Sequence, residues 1–281
     1  MSETALRNES ATATALPAKE DRVQWLLESI QRNRFLPQPA PDSVFVGDGD
    51  FKAVGAEFLG HFIRMGGLQP ESRVLDIGCG IGRMAVPLTQ YLDLEKGRYS
   101  GIDPVEGGIA WCRRFITPAY PNFAFQRVDI AHDLYNPKGK ISGKALKLPY
   151  ADRHFDFVIM TSVVTHLPPD EVLIYLSEVG RLLKSGGRLF MTAFVVDPVA
   201  ATNETGRRDT RLAFQRDGDG PCWFVPELPP LAAVGFDDGF LDNALRRAGL
   251  TTALKSFGSW RGQQADHYQD VFVAEYRGGG R

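Results

Sequence analysis

The segment RVLDIGCGIGRMAVPL, residues 73–88, sets three glycines at alternate positions directly after an apolar run. Glycine loses more conformational entropy on folding than any other residue, so such a cluster marks a sharp backbone turn or a close approach to something else. Arg73-Val74-Leu75-Asp76-Ile77 reads as a short buried strand, and the residues from Arg83 onward resume at helical spacing. A strand, a glycine turn and a helix start in succession form a nucleotide-type loop, which ties the chain to α/β architecture with a ligand at the turn.

The rest of the chain alternates to match. Strand-like stretches fall at 74–77, 99–102, 124–128, 155–160, 188–196, 252–257 and 271–276, and helix-like stretches at 23–30, 84–92, 107–116, 170–183 and 240–248. Asp48 or Asp50 offers an N-cap for the helical FKAVGAEFLGHFIRMGG, which ends on Gly66-Gly67. Gly186-Gly187 is expected to end a helix ahead of the fifth strand. Strands separated by helices of this length predict a mostly parallel sheet covered on both faces. The short connector GSWRGQQADHYQ predicts an antiparallel final pair. Residues 1–22 are polar and read as a mobile tail, residues 23–66 as a helical cap, 67–277 as the main domain and 278–281 as a closing tail. Two stretches break the alternation, residues 130–153 and 197–238, and long loops of this kind inside a domain are usually functional or disordered.

Bulk composition narrows the function. With 32 basic against 34 acidic residues, the chain lacks the electrostatic footprint of nucleic-acid binding, so no nucleic acid is expected as partner. Cys79, Cys112 and Cys222 are widely spaced and form no CxxC pair, which suits free thiols in a reducing compartment. No apolar run reaches membrane-spanning length and the N-terminus has no apolar signal core, so the expected location is the cytoplasm with no membrane partner.

The glycine spacing also selects among ligands. A dinucleotide loop is GxGxxG, whereas here Arg83 stands at the third glycine's place and Asp76 precedes the turn, giving DxGxGxG. Asp103, in YSGIDP at the end of the second strand, can accept two hydrogen bonds from a ribose diol, or cap the helix that starts near Gly107. A third signal is LPYADRHFDFVIMTSVVTHL. Together with SVVTHLPPDEVLIYLSEVGRLLKSGGRLFMTAF and YQDVFVAEY, these stretches make the chain resemble the class I S-adenosylmethionine (SAM) dependent methyltransferases, of the bacterial small-molecule type, over roughly residues 50–277.

The resemblance implies a seven-stranded, mostly parallel Rossmann-like sheet with an antiparallel last strand, and SAM as cofactor. It implies that Gly78, Cys79 and Gly80 approach the SAM methionine moiety, that Asp76 orients the loop and the ammonium, and that Asp103 with Pro104 holds the ribose. Asp129 and Ile130 are the expected adenine contacts, although an insertion separates them from Leu148-Pro149. Thr161 and Ser162 border the methionine end. SAM carries an activated methyl, so the protein must align a nucleophile and exclude water, and an alcohol nucleophile also needs a proton acceptor. His166 is the candidate catalytic base, with a loop-supporting role as its alternative. The Asn/Asp-Pro-Pro-aromatic motif of base-methylating relatives is absent where TSVV stands, and no acid cluster calls for a metal. Residues 197–238 are expected to form an active-site lid in which Arg207, Arg211, Trp223 and Phe224 meet the acceptor, with a solvated loop as the alternative. These readings converge on methyl transfer to a small polar molecule, as O-methylation of a sugar or natural-product hydroxyl. N- or C-methylation, or SAM binding without catalysis, is the alternative; the oligomeric state is not legible.

Overall fold

The structure is a computed structural model that describes residues 19–45, 47, 49–197, 200 and 212–278. The chain runs α1 (Lys19–Arg32), α2 (Phe51–Arg64), β1 (Arg73–Ile77), the single turn α3 (Ala85–Leu88), β2 (Arg98–Asp103), α4 (Glu106–Phe115), β3 (Phe123–Arg127), β4 (Phe155–Met160) and α5 (Pro169–Leu182). It continues through β5 (Leu183–Val195), β6 (Gln215–Arg216), β7 (Cys222–Phe224), β8 (Val234–Phe236), α6 (Asp238–Arg247), β9 (Leu250–Ser256) and β10 (Asp270–Tyr276).

Strands β1 to β5 lie in the order β3-β2-β1-β4-β5, all parallel. Strand β10 runs antiparallel to β5, and β9 pairs antiparallel with its other edge. Those seven strands are the expected sheet with its reversed last member. Because β1 sits between β2 and β4, the chain leaves β1 in one direction and later returns on its other side. Parallel strands diverge there, and the crevice at their carboxyl ends is where α/β sheets take ligands.

Two cores flank the sheet. Helices α5 and α6 cover one face with Leu176, Val179, Leu241 and Leu245. The other face is covered by α1, α2 and α4, whose Leu27, Leu59, Phe62 and Ile109 pack on Val74, Phe157 and Phe190. Helix α1 buries Val23, Leu27 and Ile30, spaced to share one stripe, and begins at Lys19, four residues ahead of the expected start. Asp50 caps α2, its carboxylate accepting from the Ala53 N–H at 2.7 Å. Of the expected tails, 1–22 and 278–281, residues 1–18 and 279–281 lie outside the described residues, while residues 19–22 form the first turn of α1.

Three elements depart from the sequence reading. The helix expected over 84–92 is one turn, since Pro87 has no N–H to donate. Bonds from Gln90 to Pro87 and from Tyr91 to Leu88 then continue it as tight turns. Helix α5 ends at Leu182 and passes straight into β5, not at the glycine pair. The Arg153 guanidinium donates to the carbonyls of Gly180, Arg181 and Leu183 and so closes that helix, while Gly186, at φ +79°, sits in the register shift between β4 and β5. The 197–238 stretch carries strands of its own. Strands β6 and β7 pair antiparallel, β7 pairs with β8, and β8 runs parallel to the last residues of β5. That ribbon brings the sheet to ten strands and closes a third core around Phe194, Phe214 and Trp260.

Candidate active site

A cavity of about 760 Å³ opens at the carboxyl ends of β1, β2, β4 and β5. Its size falls within the range of small-molecule sites. The glycine loop forms one wall. Gly78, Gly80 and Gly82 have φ of +78°, +55° and +83°, a left-handed region that side-chain-bearing residues rarely enter. A Cβ on Gly78 would lie 2.6 Å from Val163 Cγ2, and one on Gly82 would lie 2.9 Å from Cys112 Sγ. The loop is stitched to β2 by the N–H groups of Gly78 and Cys79, which donate to the Ile102 carbonyl at 2.8 and 3.1 Å. The glycines therefore serve the backbone turn first. Gly78 and Cys79 line the cavity; Gly80 does not, and instead its N–H donates to Asp103 at 2.8 Å.

Asp103 lines the cavity at the end of β2 while its two carboxylate oxygens accept from Gly80 and Val105 N–H, each at 2.8 Å. It braces the loop and makes no cap bond to α4, whose N-cap is Val105. Burial raises its pKa, and the two backbone donors oppose that shift. A carboxylate has about four lone-pair sites, so capacity remains for a diol. Pro104 and Ile130 line the same region, with Val128, Leu146 and Leu148 forming an apolar floor.

Three expected cofactor contacts stand elsewhere. Asp76 is fully buried beneath the loop, where it accepts from the Tyr99 hydroxyl at 2.6 Å, and it does not reach the cavity lining. Its pKa is pushed up to about 7, chiefly by burial. Gly80 faces Asp103, as described. Asp129 turns outward, taking Arg127 and Asn136 at 3.1 Å each, so Ile130 alone of that pair meets the cavity.

Thr161 and Ser162, the residues expected at the methionine end, line the cavity. Ser162 holds φ +56°, one of three non-glycine residues with positive φ among the described residues. Its N–H donates to Thr192 Oγ1 at 2.8 Å, and its hydroxyl donates to Gln269 Oε1 at 2.9 Å. Gln269 and His267, both in the β9–β10 connector, line the cavity and were not singled out from sequence. Connector length was legible there; that it folds back over the end of β4 was not.

His166 lines the cavity just past β4. Its Nδ1 lies 2.9 Å from the Leu231 carbonyl and its Nε2 lies 3.2 Å from the Tyr135 hydroxyl. A carbonyl can only accept, so Nδ1 carries the proton and Nε2 presents a lone pair. Burial lowers the His166 pKa, which keeps the ring neutral. Tyr135 and His132 come from the 130–153 stretch, flagged in sequence only for breaking the alternation.

Where the structure describes them, the acceptor residues expected from the 197–238 stretch stand away from the cavity. The Trp223 indole N–H donates to Asp237 at 2.9 Å and Arg216 sits over its ring, while Phe224 packs against the core below α6; neither lines the cavity. They belong to the β6–β8 ribbon, where adjacent strand residues point to opposite faces, so Phe224 packs against the core of α5 and α6 and Trp223 against the third core. Leu212, Leu228, Ala232 and Ala233 from the same stretch line the cavity instead, beside Phe45, Phe58, Phe194 and Tyr268. Arg207 and Arg211 lie outside the described residues. Among the described residues no cluster of three or more His, Cys, Asp or Glu could hold a metal ion, and no helix is long and apolar enough to cross a membrane.

Residues 75–191 match the family described as methyltransferase domain. The chain is 29% identical over 121 residues to sterol 24-C-methyltransferase erg6 of Schizosaccharomyces pombe, a match covering 43% of this chain and 27% of that one. It is 27% identical over 199 residues to the tRNA N(3)-cytidine methyltransferase METTL2 of Gallus gallus, covering 66% and 44%. The chain thus spans less than half the length of these curated relatives. Among solved structures, a SAM-dependent methyltransferase of Methanosarcina mazei shares the fold at a TM-score of 0.51 and 19% identity, over 76% of this chain and 96% of that one. With a tRNA methyltransferase among the relatives, near-neutral charge does not exclude a nucleic-acid acceptor.

Proposed function

We propose that the chain carries a class I SAM-dependent methyltransferase domain, on the match of residues 75–191 to a methyltransferase domain, and that it transfers the SAM methyl group to a hydroxyl of a small, neutral, largely apolar acceptor. The observation that carries this reading is the cavity wall. Besides the glycine loop, the cavity is lined by Phe45, Phe58, Phe194, Leu212, Leu228 and Tyr268, and Arg83 is the cationic side chain lining it among the described residues. Aromatic and aliphatic walls suit a natural-product ring system better than a sugar or a phosphorylated polymer.

The residues present fit SAM. Asp103 has free acceptor capacity for the ribose hydroxyls, Ile130 and Leu148 offer apolar faces to adenine, and Ser162, Thr192 and Gln269 meet the polar methionine end. When bound, the cofactor supplies a methyl group activated on sulfonium, which leaves the protein to align the nucleophile, exclude water and manage one proton. The neutral His166 ring, with its lone pair on Nε2, suits that last task.

Labelled SAM offered with a panel of phenols, aliphatic alcohols and amines of similar size tests the reading. We expect label to enter hydroxyl acceptors, and His166→Ala to lower kcat by about 10²–10⁴ with SAM affinity unchanged. Transfer to amines alone, at a rate indifferent to His166→Ala, overturns it.

A further inference from the structure

The two stretches that interrupt the strand–helix alternation meet at one imidazole. From residues 130–153 comes the Tyr135 hydroxyl, 3.2 Å from His166 Nε2, and from residues 197–238 comes the Leu231 carbonyl, 2.9 Å from His166 Nδ1. Both ring nitrogens are therefore engaged. The direction of each bond follows from the chemistry of the partners. Since Leu231 offers only an acceptor, Nδ1 donates, and Nε2 must accept from the Tyr135 O–H. His132 is oriented by the same logic: its Nδ1 accepts from the Leu134 N–H at 3.2 Å, so its Nε2 carries the proton and donates to the His166 carbonyl at 2.8 Å.

The frame around these groups is stiff. The Tyr135 ring lies between two imidazoles, 5.0 Å from His132 and 5.3 Å edge-on from His166. Leu231 holds φ +61°, a conformation bulky residues rarely adopt and keep only where their surroundings impose it. Tyr135 also lines the cavity. Because His166 Nε2 already accepts from the Tyr135 O–H, an acceptor hydroxyl must either pass its proton through that oxygen or displace it.

We propose that Tyr135 is a catalytic residue whose hydroxyl relays the acceptor's proton to His166, with Leu231 as the positioning residue that fixes the imidazole tautomer. This rests on the reading of the site as one for hydroxyl methylation. As the acceptor oxygen forms its bond to the methyl carbon, the carbon–sulfur bond breaks and its electron pair stays on sulfur. The acceptor's proton passes to the Tyr135 oxygen, and the proton already on Tyr135 passes to His166 Nε2. Tyr135 ends neutral and His166 ends as an imidazolium, still donating from Nδ1 to Leu231, and returns its extra proton to water. The positive charge lost from sulfur reappears on His166. Asp103 is the charged group that bears electrostatically on Tyr135, and His132 the titratable one that bears on His166.

The test uses the full chain saturated with S-adenosylhomocysteine and 4-nitrophenol as the probe, whose ionised form is coloured. A base wired to the probe lowers the pH at which the bound phenol ionises. In Tyr135→Phe and in His166→Ala alike, that midpoint should rise by about one pH unit or more relative to the unmodified protein. Should His166→Ala raise the midpoint while Tyr135→Phe leaves it alone, the phenol reaches His166 directly and the relay is overturned, with hydroxyl methylation intact. No change in either variant removes the base reading itself. Independently of any probe, NMR of ¹⁵N-histidine-labelled protein should show the His166 proton on Nδ1, and Tyr135→Phe should move the Nε2 signal. A proton on Nε2 in the unmodified protein reverses the hydrogen bond and overturns the relay. Phenylalanine keeps the ring contacts, so unchanged S-adenosylhomocysteine affinity in Tyr135→Phe certifies that the variant is folded.

Discussion

Asp76 belongs to the DxGxGxG signature, yet its carboxylate is sealed under the loop with Oδ1 unpartnered and Oδ2 on Tyr99. Burial lifts its pKa from the ordinary 3.8 to about 7, so in the fold it stays protonated where the unfolded chain ionises. The folded state then binds the extra proton, and stability falls as pH rises from about 4 to about 7, levelling off above that. Asparagine keeps the acceptor for Tyr99 and cannot ionise. Asp76→Asn should therefore raise Tm over the unmodified protein by a margin that is small near about pH 5 and several degrees near about pH 8. Equal margins at both pH values in a thermal melt would mean that Asp76 is charged inside the fold. Asp103, at the same end of the sheet, bonds two backbone N–H groups and keeps a face to the cavity, and so is placed for the ligand.

At the scale of elements, the two insertions decide the character of the site. The β6–β8 ribbon packs its third core against Phe194 and Trp260 and supplies aliphatic lining residues, while Trp223 ties the ribbon together through Asp237 and Arg216. Trp223→Ala should accordingly cost about 1–3 kcal/mol, below the range for removing a fully buried aromatic, because the ring is only half-buried. It should leave SAM affinity and acceptor KM within about twofold, since the indole touches neither ligand region. A selective rise in acceptor KM with Tm unchanged would restore Trp223 to the acceptor site. The sequence marked both insertions by their length and lack of periodicity. Which of their residues face inward depends on strand pairing across residues far apart in the chain, such as Gly235 with Phe194.

For the molecule as a whole, sheet order gathers the functional ends. The departure of β2 and β4 to opposite sides of β1 leaves the crevice that Gly78, Asp103 and Ser162 border. Arg83, at the third glycine's place in a dinucleotide loop, is buried and donates from its guanidinium to the Gly47 carbonyl at 2.9 Å. The side chain thus fills space that a dinucleotide loop leaves for close helix packing. SAM or S-adenosylhomocysteine at a hundredfold excess over Kd should raise Tm by about 5–10 °C, and NAD should leave it unchanged. Stabilisation by NAD alone would reverse the cofactor assignment.

The sequence alone determined what is local. Alternation of apolar segments with turn residues specified seven of the strands within a few residues, and a short connector specified the reversed β10, because these depend on neighbours along the chain. The glycines at 78, 80 and 82 announced a left-handed turn for the same reason: their own backbone angles already call for glycine. Tertiary structure decided which polar groups face a ligand. Asp76 and Asp103 are both acids at strand ends, and nothing in their own neighbourhoods says that one is buried under Tyr99 while the other opens to the cavity. The partners of His166 were equally hidden, since Tyr135 precedes it by 31 residues and Leu231 follows it by 65. Hydrogen bonds over such separations exist only after the sheet has closed and the insertions have packed on it.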